Sequence, residues 1–248
     1  MTEKRITILS HLLELRNRLL RSVIAVAITS SFSFIFADNI FKFLILPVEG
    51  TKFVFIDMTE MLGIYMKVCI TAGIMLAMPY LLYQLLMFVT PALTPKEKRG
   101  VYFILPMIII MFLAGVAFSY YVLIPPAANF LITFGNEIAV PQIRITSYIS
   151  LVTRLLIATG IVFELPVIST FLARLGIITP EWLSHKRKVA FIGAFVLGAI
   201  ITPTFDPVNQ TLIAAPLIVL YEISILLAKV FRKKQPCVAE ALVTPGTT

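Results

Sequence analysis

Charge is scarce in this chain. Asp, Glu, Lys and Arg make up only 14% of its 248 residues, where an ordinary soluble domain carries about a quarter. With a hydrophobic share of 59% and a mean hydropathy of +0.96, that scarcity excludes a water-soluble globule. It also excludes a disordered chain, which needs the opposite balance. The two cysteines, Cys69 and Cys237, are too few and too far apart for a disulfide framework or a thiolate metal site. The two histidines, His11 and His185, lack ligand spacing. The three aspartates, Asp38, Asp57 and Asp206, all fall at the ends of hydrophobic segments, which leaves no intramembrane aspartate pair. There is no GxSxG, no HExxH and no P-loop. No cofactor, no metal and no enzymatic centre is therefore expected. No short apolar run with a small-residue cleavage site precedes the first long hydrophobic segment, so no cleaved signal peptide is expected either.

What the chain does have is hydrophobic segments. Six can be placed, at about 20–37, 61–88, 101–123, 149–172, 189–201 and 211–231. About 20 apolar residues cross a bilayer, so the fifth, at 13 residues, is short and requires a thinned bilayer or snorkelling flanks. The net charge of +8 reads better as loop charge than as nucleic-acid binding. With the N-terminus inside, sixteen of the 21 Lys and Arg fall on the inner side and three, Lys42, Lys52 and Arg144, on the outer side. Lys67 and Arg154 sit near the outer ends of spans, where snorkelling accounts for them. This asymmetry places both termini in the cytoplasm. A five-span arrangement would move the basic cluster at 229–234 outside and destroy it. The fold class is an all-α membrane protein with a single six-span domain at 1–234, which begins with an amphipathic segment at 1–19. A disordered tail follows at 235–248. The outer loops at 38–59 and 124–148 are apolar enough to pack on each other as a cap.

Four glutamates are candidates for chemistry. In SHLLELRNRLLR, residues 10–21, Glu14 and Arg18 are four apart on an interfacial helix, so an ion pair within the helix competes with a binding role for Glu14. In FVTPALTPKEKRG, residues 88–100, Thr94 and Pro95 start a helix. Glu97 then either complements the helix dipole or binds a ligand. Glu164 lies about 22 Å into the fourth span and Glu222 about 17 Å into the sixth, at 1.5 Å per residue. A carboxyl at such depth is either functional or a hydrogen-bonded packing device. Pro166 frees the carbonyl of Val162, so a polar notch is expected beside Glu164.

HLLELRNRLL (11–20), YQLLMFVTPALTPKEKR (83–99), FELPV (163–167), GIITPEWLSHKRK (176–188) and YEISILLAK (221–229) together resemble the TatC family, over roughly residues 8–234. TatC is the polytopic subunit of the twin-arginine protein translocase. The resemblance implies a concave, glove-like bundle of six helices with short fifth and sixth helices and an outer cap. It makes Glu97 the main acceptor of the twin-arginine signal motif and Glu14 the second, with Arg16, Gln84, Phe88, Pro91 and Leu93 shaping the site. A guanidinium is a planar fork that pairs bidentately with a carboxylate, which lysine cannot reproduce. It makes Glu164 an intramembrane polar residue on the concave face, Pro47 a cap residue, and Thr202 and Gln210 candidates for docking single-span TatA/TatB-type partners. The implied setting is the cytoplasmic membrane, with self-association, lipid contact and no nucleic acid. The implied activity is receptor and core of a proton-motive export system for folded proteins. A different reading is a proton-coupled transporter of a small solute using Glu164 and Glu222. An intramembrane hydrolase lacks the nucleophile–base pair it needs.

Overall fold

In a bilayer no water satisfies the backbone, so a spanning segment must close its hydrogen bonds within itself. The computed structural model describes residues 8–89, 95–133, 142–201 and 207–231, and its long hydrophobic segments are all helices. The order is α1 (Ile8–Ile35), α2 (Ala37–Ile45), a 3-10 turn (Leu46–Val48), β1 (Phe53–Val54), α3 (Glu60–Val89), α4 (Pro95–Phe118), a π-helical turn (Ser119–Leu123) and α5 (Ile124–Thr133). Then follow β2 (Ile143–Arg144), α6 (Ile145–Val162), α7 (Leu165–Arg174), α8 (Pro180–His185), α9 (Arg187–Ile201) and α10 (Pro207–Phe231).

Among the described residues, five helical stretches are long and apolar enough to cross a membrane: Leu12–Ile35, Glu60–Phe88, Ile104–Thr133, Ile145–Arg174 and Gln210–Phe231. The sixth, α9, has 15 residues, or about 22 Å of helix against a hydrocarbon core of about 30 Å. The resemblance also makes the last helix short; α10 has 25 residues.

From Ile8 the amphipathic segment runs on into the first span as one helix, α1. Two other stretches differ from the sequence expectation. The third span does not end at Leu123 but continues through the π-helical turn into α5. The wider turn precedes Pro125 and Pro126, whose missing N–H groups fit the start of a new helix rather than the middle of an old one. Burial of Ile124, Ala127 and Ala128 holds α5 down. Residues 38–45, expected as part of the first outer loop, belong to α2, which buries Ala37, Phe41 and Leu44. The two outer segments do pack on each other: β1 and β2 pair in parallel, Phe53 with Ile143 and Val54 with Arg144.

Helix directions follow from the contacts. Arg18 bonds to Gln84, Thr29 to the carbonyl of Gly73, and Cys69 to the carbonyl of Ser33, so α1 and α3 are antiparallel. Phe112 packs at Gly160, while Ile104 and Ile108 pack with Val167 and Phe171, so α6 and α7 run against α4. Tyr221 donates to the carbonyl of Leu183 and Gln210 to that of Phe195, so α10 runs against α8 and α9. One end of the bundle therefore collects Arg16, Arg18, Arg21, Arg174 and Lys186 to Lys188. The other carries α2, α5 and the strand pair. The centre is α6, where Ile149, Val152 and Leu155 are fully buried.

The α6 ladder stops at Val162, as Pro166 dictates, and Glu164 becomes the residue that precedes α7. Gly176, at φ +77°, ends α7 in a left-handed turn that lets the Ile177 N–H donate back to the Leu172 carbonyl at 3.0 Å.

Small residues set the α1–α3 separation. A Cβ on Gly73 would lie 2.2 Å from Ser30 Oγ and 2.4 Å from Ser30 Cα, so these backbones touch as membrane helices do at small residues. Gly73→Val is expected to lower stability by about 1–3 kcal/mol, the usual penalty for overpacking. Gly63→Ala, with nothing within 4 Å of the added Cβ, is expected to leave stability unchanged. Thermal unfolding of the two variants in the same detergent checks the difference.

Candidate functional site

The antiparallel seam brings the first turns of the spanning part of α1 beside the last turns of α3. Glu14 and Arg18 are one helical turn apart on α1. Arg18 places both Nε, at 2.9 Å, and Nη2, at 2.5 Å, on Glu14 Oε1. Its remaining amino group, Nη1, donates to Gln84 Oε1 at 3.1 Å. The Gln84 amide in turn donates to Tyr80 Oη at 2.6 Å, and Gln84 is buried. A guanidinium thus sits between a carboxylate and an amide oxygen that is itself held in orientation. Side-chain exposures of 18% for Arg18 and 29% for Glu14 remove much of the solvent screening that weakens surface pairs.

Of the other residues predicted for this site, Arg16 is exposed. Two positions along from Glu14, it faces another side of the helix. Phe88 is half-buried in the last turn of α3. Pro91 and Leu93 lie outside the described residues. Glu97 is in the first turn of α4, with its side chain outside the described set. Its position is nonetheless bounded. From Val89 to Pro95 the chain can extend at most roughly 22 Å, so the start of α4 lies at the end of the bundle that holds Glu14. Tyr80 was missed by sequence reasoning, although its spacing of four from Gln84 on one helix was a usable signal.

The two membrane-embedded glutamates have different surroundings. Glu164 is 1% exposed, and neither carboxyl oxygen has a hydrogen-bond partner among the described residues. The expected polar notch is therefore a buried carboxyl at the α6–α7 break rather than one on an open face. Glu222 is not a buried carboxyl at all. It forms a two-point pair with Arg187, Nε to Oε1 at 2.8 Å and Nη2 to Oε2 at 2.9 Å, with side-chain exposures of 53% and 44%. Depth along α10 does not isolate Glu222, for a plain reason. Because α9 is short, its first residue, Arg187, reaches the level of Glu222. Lys67, assigned to snorkelling, donates to Ser150 Oγ at 2.7 Å.

The cap explains Pro47. Pro47 has no N–H, so the Phe43 carbonyl four residues earlier loses its helical donor. Tyr120 Oη supplies one at 2.7 Å, with its ring stacked on Phe43 at 4.2 Å between centroids. Tyr148 Oη donates to the next carbonyl, Leu44, at 2.8 Å. Glu60, not singled out from the sequence, gathers the cap from the side. Its carboxylate accepts from the N–H groups of Ile56 and Asp57, from Arg144 at 3.2 Å and from the Thr146 hydroxyl. The Asp57-x-x-Glu60 spacing before an apolar run was the available signal. Gln210 donates to the Phe195 carbonyl at 2.8 Å, and a Cβ on Gly198 would lie 3.1 Å from the Gln210 carbonyl oxygen, so Gln210 clamps α10 against α9. Thr202 lies outside the described residues. Among those residues no group of three or more His, Cys, Asp or Glu is placed to hold a metal ion.

Fold and site together define a multi-pass, all-α membrane protein with a guanidinium-holding cradle at its basic end. Its sequence matches the family model described as "Sec-independent protein translocase protein (TatC)" over residues 10–216. It is 41% identical over 237 residues to the Sec-independent protein translocase protein TatC of Carboxydothermus hydrogenoformans, covering 95% of this chain and 98% of that one. To the TatC of Aquifex aeolicus it is 39% identical over 237 residues, covering 93% and 98%. The fold matches a crystal structure of the twin-arginine translocase receptor TatC with a TM-score of 0.81 at 40% identity, covering 89% of this chain and 99% of that one. The chain belongs to the TatC family and is a component of the Sec-independent protein translocase.

Tyr120→Phe is expected to destabilise the protein by about 1 kcal/mol, because it leaves the part-buried Phe43 carbonyl without its donor. In a Pro47→Ala background the same change is expected to cost less, since the new N–H can serve Phe43. A thermal-unfolding double-mutant cycle measures the coupling.

Proposed function

We propose that the basic end of this protein is the receptor surface for the twin-arginine motif of signal peptides. The carrying observation is the Arg18 guanidinium held between Glu14 and Gln84, at the end of the bundle where α4 begins with Glu97 in its first turn. The chain's own residues there bind a forked cation with a carboxylate and an oriented amide. Two carboxylates, on α1 and α4, provide for two consecutive arginines, Glu97 as main acceptor and Glu14 as second, with Phe88, Pro91, Leu93 and Arg16 around them. Lysine offers a point charge without the fork, which accounts for discrimination.

The basic end faces the cytoplasm by the distribution of Lys and Arg, with both termini inside and the protein in the cytoplasmic membrane. Single-span TatA/TatB-type subunits dock at the α9–α10 hairpin near Thr202 and Gln210, and the receptor self-associates. Transport of folded cargo is driven by the proton-motive force, with no catalytic step in this chain. The 22 Å α9 favours a locally thinned bilayer beside Glu164. The solute-transporter reading loses one of its two carriers, because Glu222 is tied to Arg187.

Glu97→Gln is expected to weaken binding of a twin-arginine signal peptide at least tenfold, about 1.4 kcal/mol or more, while thermal stability is kept. An Arg-Arg to Lys-Lys change in the peptide should do the same to the wild-type protein. Fluorescence anisotropy of labelled peptides with protein in nanodiscs reads both. Equal affinity for the two peptides would overturn the assignment.

A further inference from the structure

The cradle that suits an incoming arginine is already filled by one of the chain's own. All three kinds of guanidinium nitrogen of Arg18 are engaged, Nε and Nη2 by Glu14 and Nη1 by Gln84. Glu14 uses the same oxygen, Oε1, for two of these contacts. Gln84 is 5% exposed, and its amide is turned toward Arg18 by the bond to Tyr80. An ordinary ion pair between residues four apart needs no such third partner on another helix, 66 positions away in sequence. The recognition chemistry for a forked cation is therefore present in the resting protein and satisfied internally.

We propose that Arg18 is an internal surrogate for a signal arginine: it holds the carboxylate of Glu14 and the amide of Gln84 in a guanidinium-ready arrangement, and an arriving arginine must displace it. This rests on the receptor reading above and extends it. Arg18 is a specificity-setting competitor. A peptide cation gains from Glu14 only what it offers beyond the resident fork. A lysine, with one point charge, does not displace a guanidinium held at three nitrogens. The surrogate also keeps a guanidinium on the half-buried carboxylate when no signal is present.

Arg18→Gln is expected to bind a twin-arginine peptide roughly three- to tenfold more tightly than the wild type, and to bind a Lys-Lys peptide measurably. Arg18→Lys, which keeps the charge without the fork, is expected to fall between the two. In a Glu14→Gln background the Arg18→Gln change should bring no gain. An unchanged or weaker peptide affinity in Arg18→Gln and Arg18→Lys, both with wild-type thermal stability, would overturn the proposal. A second arm needs no peptide. Arg18→Ala should be stabilised in thermal unfolding by millimolar methylguanidinium and not by methylammonium, and Glu14→Gln/Arg18→Ala should respond to neither. Absence of that selective stabilisation also overturns the proposal. If no form of the protein binds the peptide yet methylguanidinium refills the site, the receptor reading fails while the internal cradle stands.

Discussion

The contact between α1 and α3 controls what the basic end can do. Gly73 lets the Ser30 backbone approach so closely that no side chain fits between them, and Thr29 seals the seam by donating to the Gly73 carbonyl at 2.8 Å. Once that crossing is set, the antiparallel register carries Arg18 to Gln84 about three helical turns away along α1. A change in helix separation would be felt most at the ends, where Arg18 must bridge two helices with one planar group. The short connection from Val89 to Pro95 then brings the start of α4 to the same end. Helix packing in the apolar middle and polar recognition at the interface are thus one mechanical unit.

The glutamates show how environment, rather than residue type, assigns a role. Glu14 is half-buried and faces a guanidinium with an amide behind it. Glu222 is half-exposed and paired at two points with Arg187, which joins the first turn of α9 to α10. Glu60 binds the cap through two N–H groups, a hydroxyl and an arginine. Glu164 stands apart, with 1% exposure and neither oxygen bonded among the described residues. Burying a carboxyl without a partner opposes folding, so its presence at the α6–α7 break is not explained by stability. Of the four, it is the one whose chemistry the isolated chain leaves unused.

The opposite end is built to be stiff. Tyr120 and Tyr148 reach from two different helices to consecutive carbonyls at the end of α2, one of which Pro47 has deprived of its helical donor. The tyrosines supply bonds that water would supply in a soluble loop. Parallel pairing of β1 with β2 adds a second tie between the two outer segments. A rigid cap and a clamped α9–α10 hairpin hold the bundle's edges while the basic end remains the accessible one.

Much of this was legible in the sequence. Hydrophobic runs locate the helices, because a bilayer allows few other solutions for the backbone. Pro166 predicts a freed carbonyl at Val162 in the fourth span, and the 13-residue fifth run predicts a helix too short for an ordinary crossing. Glu14, Gln84 and Glu97 could be named from motif order, and the Glu14–Arg18 spacing already implied their contact. Three things were decided only by tertiary structure. Continuation of the third span into α5 depended on burial of Ile124, Ala127 and Ala128, which hydropathy along one strand of chain does not reveal. The pairing of Glu222 with Arg187 depended on how far a short helix carries its first residue toward a neighbouring helix. The third contact of Arg18 depended on the α1–α3 register, since two polar groups 66 residues apart become one site only when packing sets them within hydrogen-bond reach.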